Sequence, residues 1–168
     1  MKKKLGIAAI LGIAMILLFF FLPCGMSLVI MDKAGHVYYA KNVQPGDIVS
    51  LGFKHSVEKV LVVDTFSITG DGQLLLENTT YGSMGAGLPS DQSYNITTDG
   101  QGNFTIENIG ITYDEINFMT LDFTRHYIVT SGETSQLSGV APHEKPLILR
   151  IERNTPVKII ASAIRTIF

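Results

Sequence analysis

Two short stretches of the chain hold residue types that could do chemistry. The first is Phe53-Lys54-His55-Ser56-Val57-Glu58-Lys59, followed by Val62, Asp64 and Phe66. The second is Tyr81-Gly82-Ser83-Met84-Gly85-Ala86-Gly87-Leu88-Pro89. A histidine beside a serine suggests a base and a nucleophile, but neighbours on a strand point to opposite faces. With Leu51 to Val57 extended, His55 shares a face with Phe53 and Val57, and Ser56 shares the other with Lys54 and Glu58, so the two do not pair for catalysis. On the next run Val60, Val62, Asp64, Phe66 and Ile68 line one face, which sets Asp64 in an apolar row. A buried carboxylate is costly unless it is paired or hydrogen-bonded. A partner is therefore expected, with His55, Lys54 and Arg125 as the candidates. Three readings follow. The pair fixes strand register, or His55, Glu58 and Asp64 build a ligand or cation site, or the row is purely exposed.

Gly82, Gly85 and Gly87 around Ser83 form a loop with two readings of its own. Its backbone N–H groups could cradle an anion, or it is a tight turn that needs positive φ and close backbone contact. It is not a P-loop, because no Gly-Lys-Ser/Thr follows, and it holds no Gly-x-Ser-x-Gly elbow. His36, His126 and His143 are scattered, with no His-x-His or His-x-x-x-His spacing for zinc and no calcium-loop pattern. No catalytic set, metal site or cofactor is expected. The sequence predicts that the glycine loop packs near the His55–Glu58 corner. One ligand site would then draw on His55, Ser56, Glu58, Asp64, Tyr81, Ser83, Gly85, Gly87 and Arg125.

The elements that must position these residues read as β. Val37–Tyr39, Ile48–Phe53, Val60–Thr69, Leu74–Glu77, Phe104–Ile106, Ile116–Leu121, His126–Thr130 and Leu147–Arg153 have strand length and are rich in β-branched and aromatic residues. Asp32-Lys33-Ala34-Gly35, Pro45-Gly46-Asp47, Gly70-Asp71-Gly72, Asp99-Gly100-Gln101-Gly102 and Ser131-Gly132-Glu133 punctuate them as turns. The expected fold is all-β, an antiparallel sandwich or barrel. Thr155-Pro156 opens either a short C-terminal helix or a final strand.

The chain has 168 residues, 46% of them hydrophobic and 17% charged. That is one domain's worth of core, too apolar for disorder. Cys24 is the single cysteine, which excludes an intrachain disulfide and any CxxC redox or zinc site. Three of the thirteen Lys and Arg are Lys2, Lys3 and Lys4, so the remaining cations are outnumbered by fifteen Asp and Glu. A body of that sign is not a nucleic-acid binder. From Leu5 to Leu22 there is no charged or polar side chain, a run of roughly 27 Å as a helix, close to a bilayer core. Basic flanks are retained in the cytoplasm. The run is longer than the apolar core of a cleaved signal peptide, so residues 1–27 are expected to be an uncleaved signal anchor and residues 28–168 an extracytoplasmic β-domain. Phe21-Leu22-Pro23 before Cys24 does not fit a lipobox. Asn78-Thr79-Thr80, Asn95-Ile96-Thr97 and Asn103-Phe104-Thr105 are glycosylation sequons by pattern.

The two motifs together, in this order, resemble the family catalogued as domain of unknown function 1850. Its pattern reads aromatic residue, His-Ser-Val-Glu, then an acid and an aromatic residue, and later Tyr-x-Ser-aromatic-Gly-Ala-Gly-Leu-Pro. The resemblance covers Ile48 to Leu149. Leu61 stands where the family often has Pro, Asp64 where it often has Glu, and Met84 where it has an aromatic residue. What the resemblance implies is a small exported protein whose gene lies beside tripartite ATP-independent (TRAP) transporters of the TAXI type, and hence an accessory role in solute uptake. The expected partners are the membrane, through Leu5–Leu22, and transporter subunits or a solute receptor. The alternatives are a ligand-free structural envelope or surface protein, and a small hydrolase.

Overall fold

The computed structural model describes residues 12–15, 17–57, 59–82 and 95–157. Among the described residues eleven strands form: β1 (Gly25–Asp32), β2 (Val37–Val43), β3 (Ile48–Lys54), β4 (Leu61–Ile68), β5 (Leu74–Tyr81), β6 (Asn95–Thr98), β7 (Phe104–Tyr113), β8 (Glu115–Met119), β9 (Tyr127–Thr130), β10 (Glu133–Gln136) and β11 (Pro146–Asn154). They make two antiparallel sheets, one ordered β2-β1-β11-β8 and the other β10-β9-β3-β4-β5-β7-β6. Leu28, Ile30, Leu147 and Leu149 of the smaller sheet share one core with Val49, Leu51, Phe66, Ile68, Leu74 and Ile128 of the larger. Two sheets closed on a common apolar layer are the sandwich expected from alternating strands.

Local chemistry explains the joints. Thr130 and Glu133 pair across Ser131-Gly132, whose φ angles are 52° and 77°. Two successive positive φ values are those of the type I′ hairpin, which glycine adopts without steric cost. Between β7 and β8 the chain leaves the larger sheet for the smaller over the single residue Asp114.

The two ends of the sandwich differ. At one end the chain enters β1 beside the end of β11, where the Cys24 N–H donates to the Asn154 carbonyl at 2.8 Å. Arg153 reaches the Gly70 and Asp71 carbonyls of the β4–β5 turn at this same end. Because β4 and β5 are antiparallel, the β3–β4 connection and the end of β5 lie at the opposite, distal end.

Residues 12–15 and 17–21 are helical. Among the described residues no helix is long and apolar enough to cross a membrane. Residues 1–11 and 16 of the expected anchor lie outside the described residues, as do residues 158–168 of the expected C-terminal helix or strand; Pro156 and Val157 are helical. β1 begins at Gly25, so the β-domain starts three residues before the expected boundary at Leu28.

Candidate functional site

The inner face of the larger sheet carries two rows of side chains at the distal end. In the first, Ile128, Leu51, Asp64, Thr79 and Ile106 pair successively across β9, β3, β4, β5 and β7. In the second, nearer the edge of the sandwich, Phe53, Val62, Tyr81 and Phe104 pair in the same way. Asp64 sits in the apolar row the sequence gives it, between Val62 and Phe66, which are 4% and 2% exposed.

Its partner is not the one expected. The Thr79 hydroxyl donates to Asp64 Oδ1 at 2.7 Å. Burial raises the Asp64 pKa above the ordinary carboxylate value, and the Thr79 hydrogen bond works against that rise. A register shift brings Thr79 there. Thr65 pairs with Asn78 but Phe66 pairs with Leu76, leaving Glu77 bulged. Simple alternation from Leu74 and Leu76 would turn Asn78 and Thr80 inward. The bulge flips that parity and turns Thr79 and Tyr81 inward instead. Burial raises the Tyr81 phenol pKa, and the Asp64 charge raises it further.

His55, Lys54 and Arg125 do not meet Asp64. The register sets Leu51 opposite Asp64, and β3 ends at Lys54. His55 is therefore not in an extended run to Val57. It opens a turn in which its N–H donates to the Val60 carbonyl at 2.8 Å and the Lys59 N–H donates back to the His55 carbonyl at 3.1 Å. Ser56 is exposed in this turn, and its carbonyl accepts from Lys59 Nζ at 2.6 Å. The face assignment for His55 and Ser56 fails because the strand stops before it reaches them.

On the other flank of β4 the Gly82 N–H donates to the Leu61 carbonyl at 2.8 Å. His55 and Gly82 thus bracket the start of β4, and the two motifs arrive at the same end of the sheet. Glu58, Ser83, Gly85 and Gly87 lie outside the described residues. Arg125 joins the group from β9's side, because the Lys54 N–H donates to the carbonyl of Thr124 at 2.7 Å. Among the described residues no group of His, Cys, Asp or Glu could hold a metal ion.

The sequence marks His126 as one of three scattered histidines and, with Arg125, as the entry to a strand on the surface of His55; the structure gives it a defined, buried place. It is 6% exposed, stacked on Phe53 at 5.2 Å between ring centroids and tilted against Phe118 at 5.4 Å. Its Nδ1 pairs with Thr124 Oγ1 at 2.8 Å. Burial pushes its pKa down to about 4, so the ring is neutral at physiological pH. Thr124 is itself locked, because its hydroxyl accepts from the Leu121 N–H at 3.0 Å and lies 2.7 Å from the Leu121 carbonyl. His126 is a packed neutral ring that fixes the segment carrying Arg125.

Residues 49–137 match the family described as domain of unknown function (DUF1850). The chain belongs to this family. No curated protein and no solved structure matches it. The DUF1850 segment runs from Val49 in β3 to Leu137 just past β10, so it contains nearly all of the larger sheet and that sheet's distal end. β1, β2 and β11, which build most of the smaller sheet, lie outside it.

Proposed function

We propose that this DUF1850 protein is a membrane-anchored, extracytoplasmic binding domain that serves as an accessory to solute uptake by a TAXI-type tripartite transporter. It is held in the cell membrane by Leu5–Leu22 with Lys2–Lys4 in the cytoplasm. One observation carries the reading. The segments carrying His55, Tyr81 and Arg125 all lie at the end of the sandwich opposite the one where the chain enters from its N-terminal apolar run. An anchored domain of this shape presents that end away from the bilayer, where a soluble partner or solute reaches it. Loops carried on a rigid β scaffold are common places for binding groups.

The test is co-purification of the tagged full-length chain with co-expressed transporter subunits in mild detergent, with the intact mass read on the same sample. Stoichiometric transporter subunits and a mass that includes Lys2–Lys4 are expected. A partner-free monomer, or a chain starting at Leu28, would overturn the accessory role or the anchor respectively.

A further inference from the structure

A second feature of the distal end lies on the outer face of the larger sheet, away from Asp64. Lys54, Lys59 and Arg125 line a groove of about 480 Å³ with Leu61, Tyr127 and Gln136. No acidic side chain is among its described lining residues. Among the described residues neither Lys54 nor Arg125 forms an ion pair, whereas Lys41 and Arg150 are paired with Glu133 and Glu152. Three cations lining one groove repel one another, and an anion relieves that repulsion.

The groove is shaped by its backbone. Gly52 lies beneath the Tyr127 ring that lines the groove: a Cβ there would stand 2.1 Å from Tyr127 Cζ, so only glycine lets that ring lie flat across β3. Lys59 and Arg125 both hold left-handed backbone, at φ of 59° and 44°. Non-glycine residues occupy that region at a cost, and such positions gather at binding sites. Lys59 is also held in place, with its ammonium 4.8 Å over the Phe123 ring and donating to the Ser56 carbonyl. Arg125 leaves the chain between Thr124 and His126, both buried and bonded to each other.

We propose that this groove is a binding site for a small solute with two anionic charges, a dicarboxylate or a phosphate. The Arg125 guanidinium would grip two anionic oxygens in bidentate fashion, and the Lys54 and Lys59 ammonium groups would neutralise the remaining charge. The volume is that of a small-molecule site. Its position at the end opposite the N-terminal apolar run turns it toward dissolved solute rather than lipid headgroups. The inference rests on the binding-domain reading above and gives that reading a ligand class.

The test is isothermal titration of the full-length protein in a neutral detergent at pH 7 and low salt, with succinate in one series and inorganic phosphate in another. Saturable one-site binding of at least one of them is expected. Arg125→Ala and Lys54→Ala should each weaken it at least about ten-fold, with the thermal unfolding midpoint unchanged, and Lys145→Ala on the exposed surface should leave it unchanged. Absence of saturation by both anions up to about 10 mM would overturn the proposal. So would affinity that survives both groove substitutions, or binding of a hexaglutamate peptide while both small anions fail. Co-purification with transporter subunits in a protein that binds neither anion would remove the anion site and leave the accessory role standing.

Discussion

Replacing Thr79 by Val tests whether the Asp64 carboxylate depends on that one hydroxyl. Thr79 is 5% exposed and its hydroxyl lies 2.7 Å from Asp64 Oδ1. Valine keeps the branched shape, so the backbone and the bulge at Glu77 stay in place. What is lost is a hydrogen bond to a charged acceptor, about 1.5–3 kcal/mol, offset by roughly 0.8 kcal/mol for the added buried methyl. The net cost at pH 7 is then about 1–2 kcal/mol, or a fall of roughly 2–8 °C in Tm. The cost should depend on pH. Burial raises the Asp64 pKa in the folded state, so over the window from the unfolded value up to the folded one the native protein holds the extra proton. Asp64 therefore favours folding at low pH, and its contribution is lost as pH rises through the folded pKa. The Thr79 bond stabilises the ionised form. Its removal should hurt more at pH 7 than at pH 3.5, because the upward shift of Asp64 favours its neutral form on the acid side. Thermal unfolding of both proteins, followed by circular dichroism in the same detergent at the two pH values, measures this. Equal losses at pH 7 and pH 3.5, or a loss below about 0.3 kcal/mol at pH 7, would refute a charge-bearing bond as the basis of the pair.

Asp64→Asn removes the buried charge and keeps a carbonyl to accept from Thr79; it should be at least as stable as the parent at pH 7 in the same assay. His126 should shape the acid limb with the opposite sign. With its pKa pushed down to about 4 in the folded state, the unfolded chain binds the proton first, and stability falls from about pH 6.5 to pH 4 by roughly 3 kcal/mol. His126→Asn, which can still bond Thr124, should flatten that part of the stability–pH curve. Gly52→Ala should cost about 1 kcal/mol by driving the Tyr127 ring off β3; adding Tyr127→Ala should recover most of it, as read by urea unfolding.

Eight strands are legible in the sequence because β-branched and aromatic residues alternate between turn signals. β1 is hidden for a specific reason. Leu28 to Met31 are all buried, so the strand has no alternation and reads as a continuation of the apolar run before it. β6 (Asn95–Thr98) and β10 (Glu133–Gln136) have almost no apolar residues. They are strands because β7 and β9 offer them a partner, which is information outside the segment itself. The site divides the same way. Asp64 in an apolar row follows from period two. Thr79 as its partner does not, because the bulge at Glu77 reverses the parity of everything after it on β5. The scattered histidines gave no signal of His126's stacking, which needs Phe118 brought over from the other sheet. Lys54 and Lys59 were visible as charges, but Gly52 as the residue beneath Tyr127 appears only when β3 and β9 lie side by side.

The pairing of β1 with β11 fixes when this protein can fold. Gly25 lies opposite Asn154 and Asp32 opposite Leu147, so the centre of the smaller sheet joins the first strand to the last. Such long-range pairing must wait for its late partner and makes folding slow. Synthesis from the N-terminus delivers β1 first and β11 last. Through that interval Leu28, Ile30 and their neighbours lack the face they will be buried on, and β1 keeps an unpaired edge open to other chains. The larger sheet, complete once Gln136 has emerged, can form before the lid of β1 and β11 closes on it. A chain truncated before Pro146 would therefore keep the distal end's scaffold while exposing half of the core, and its fate is aggregation rather than a smaller working domain.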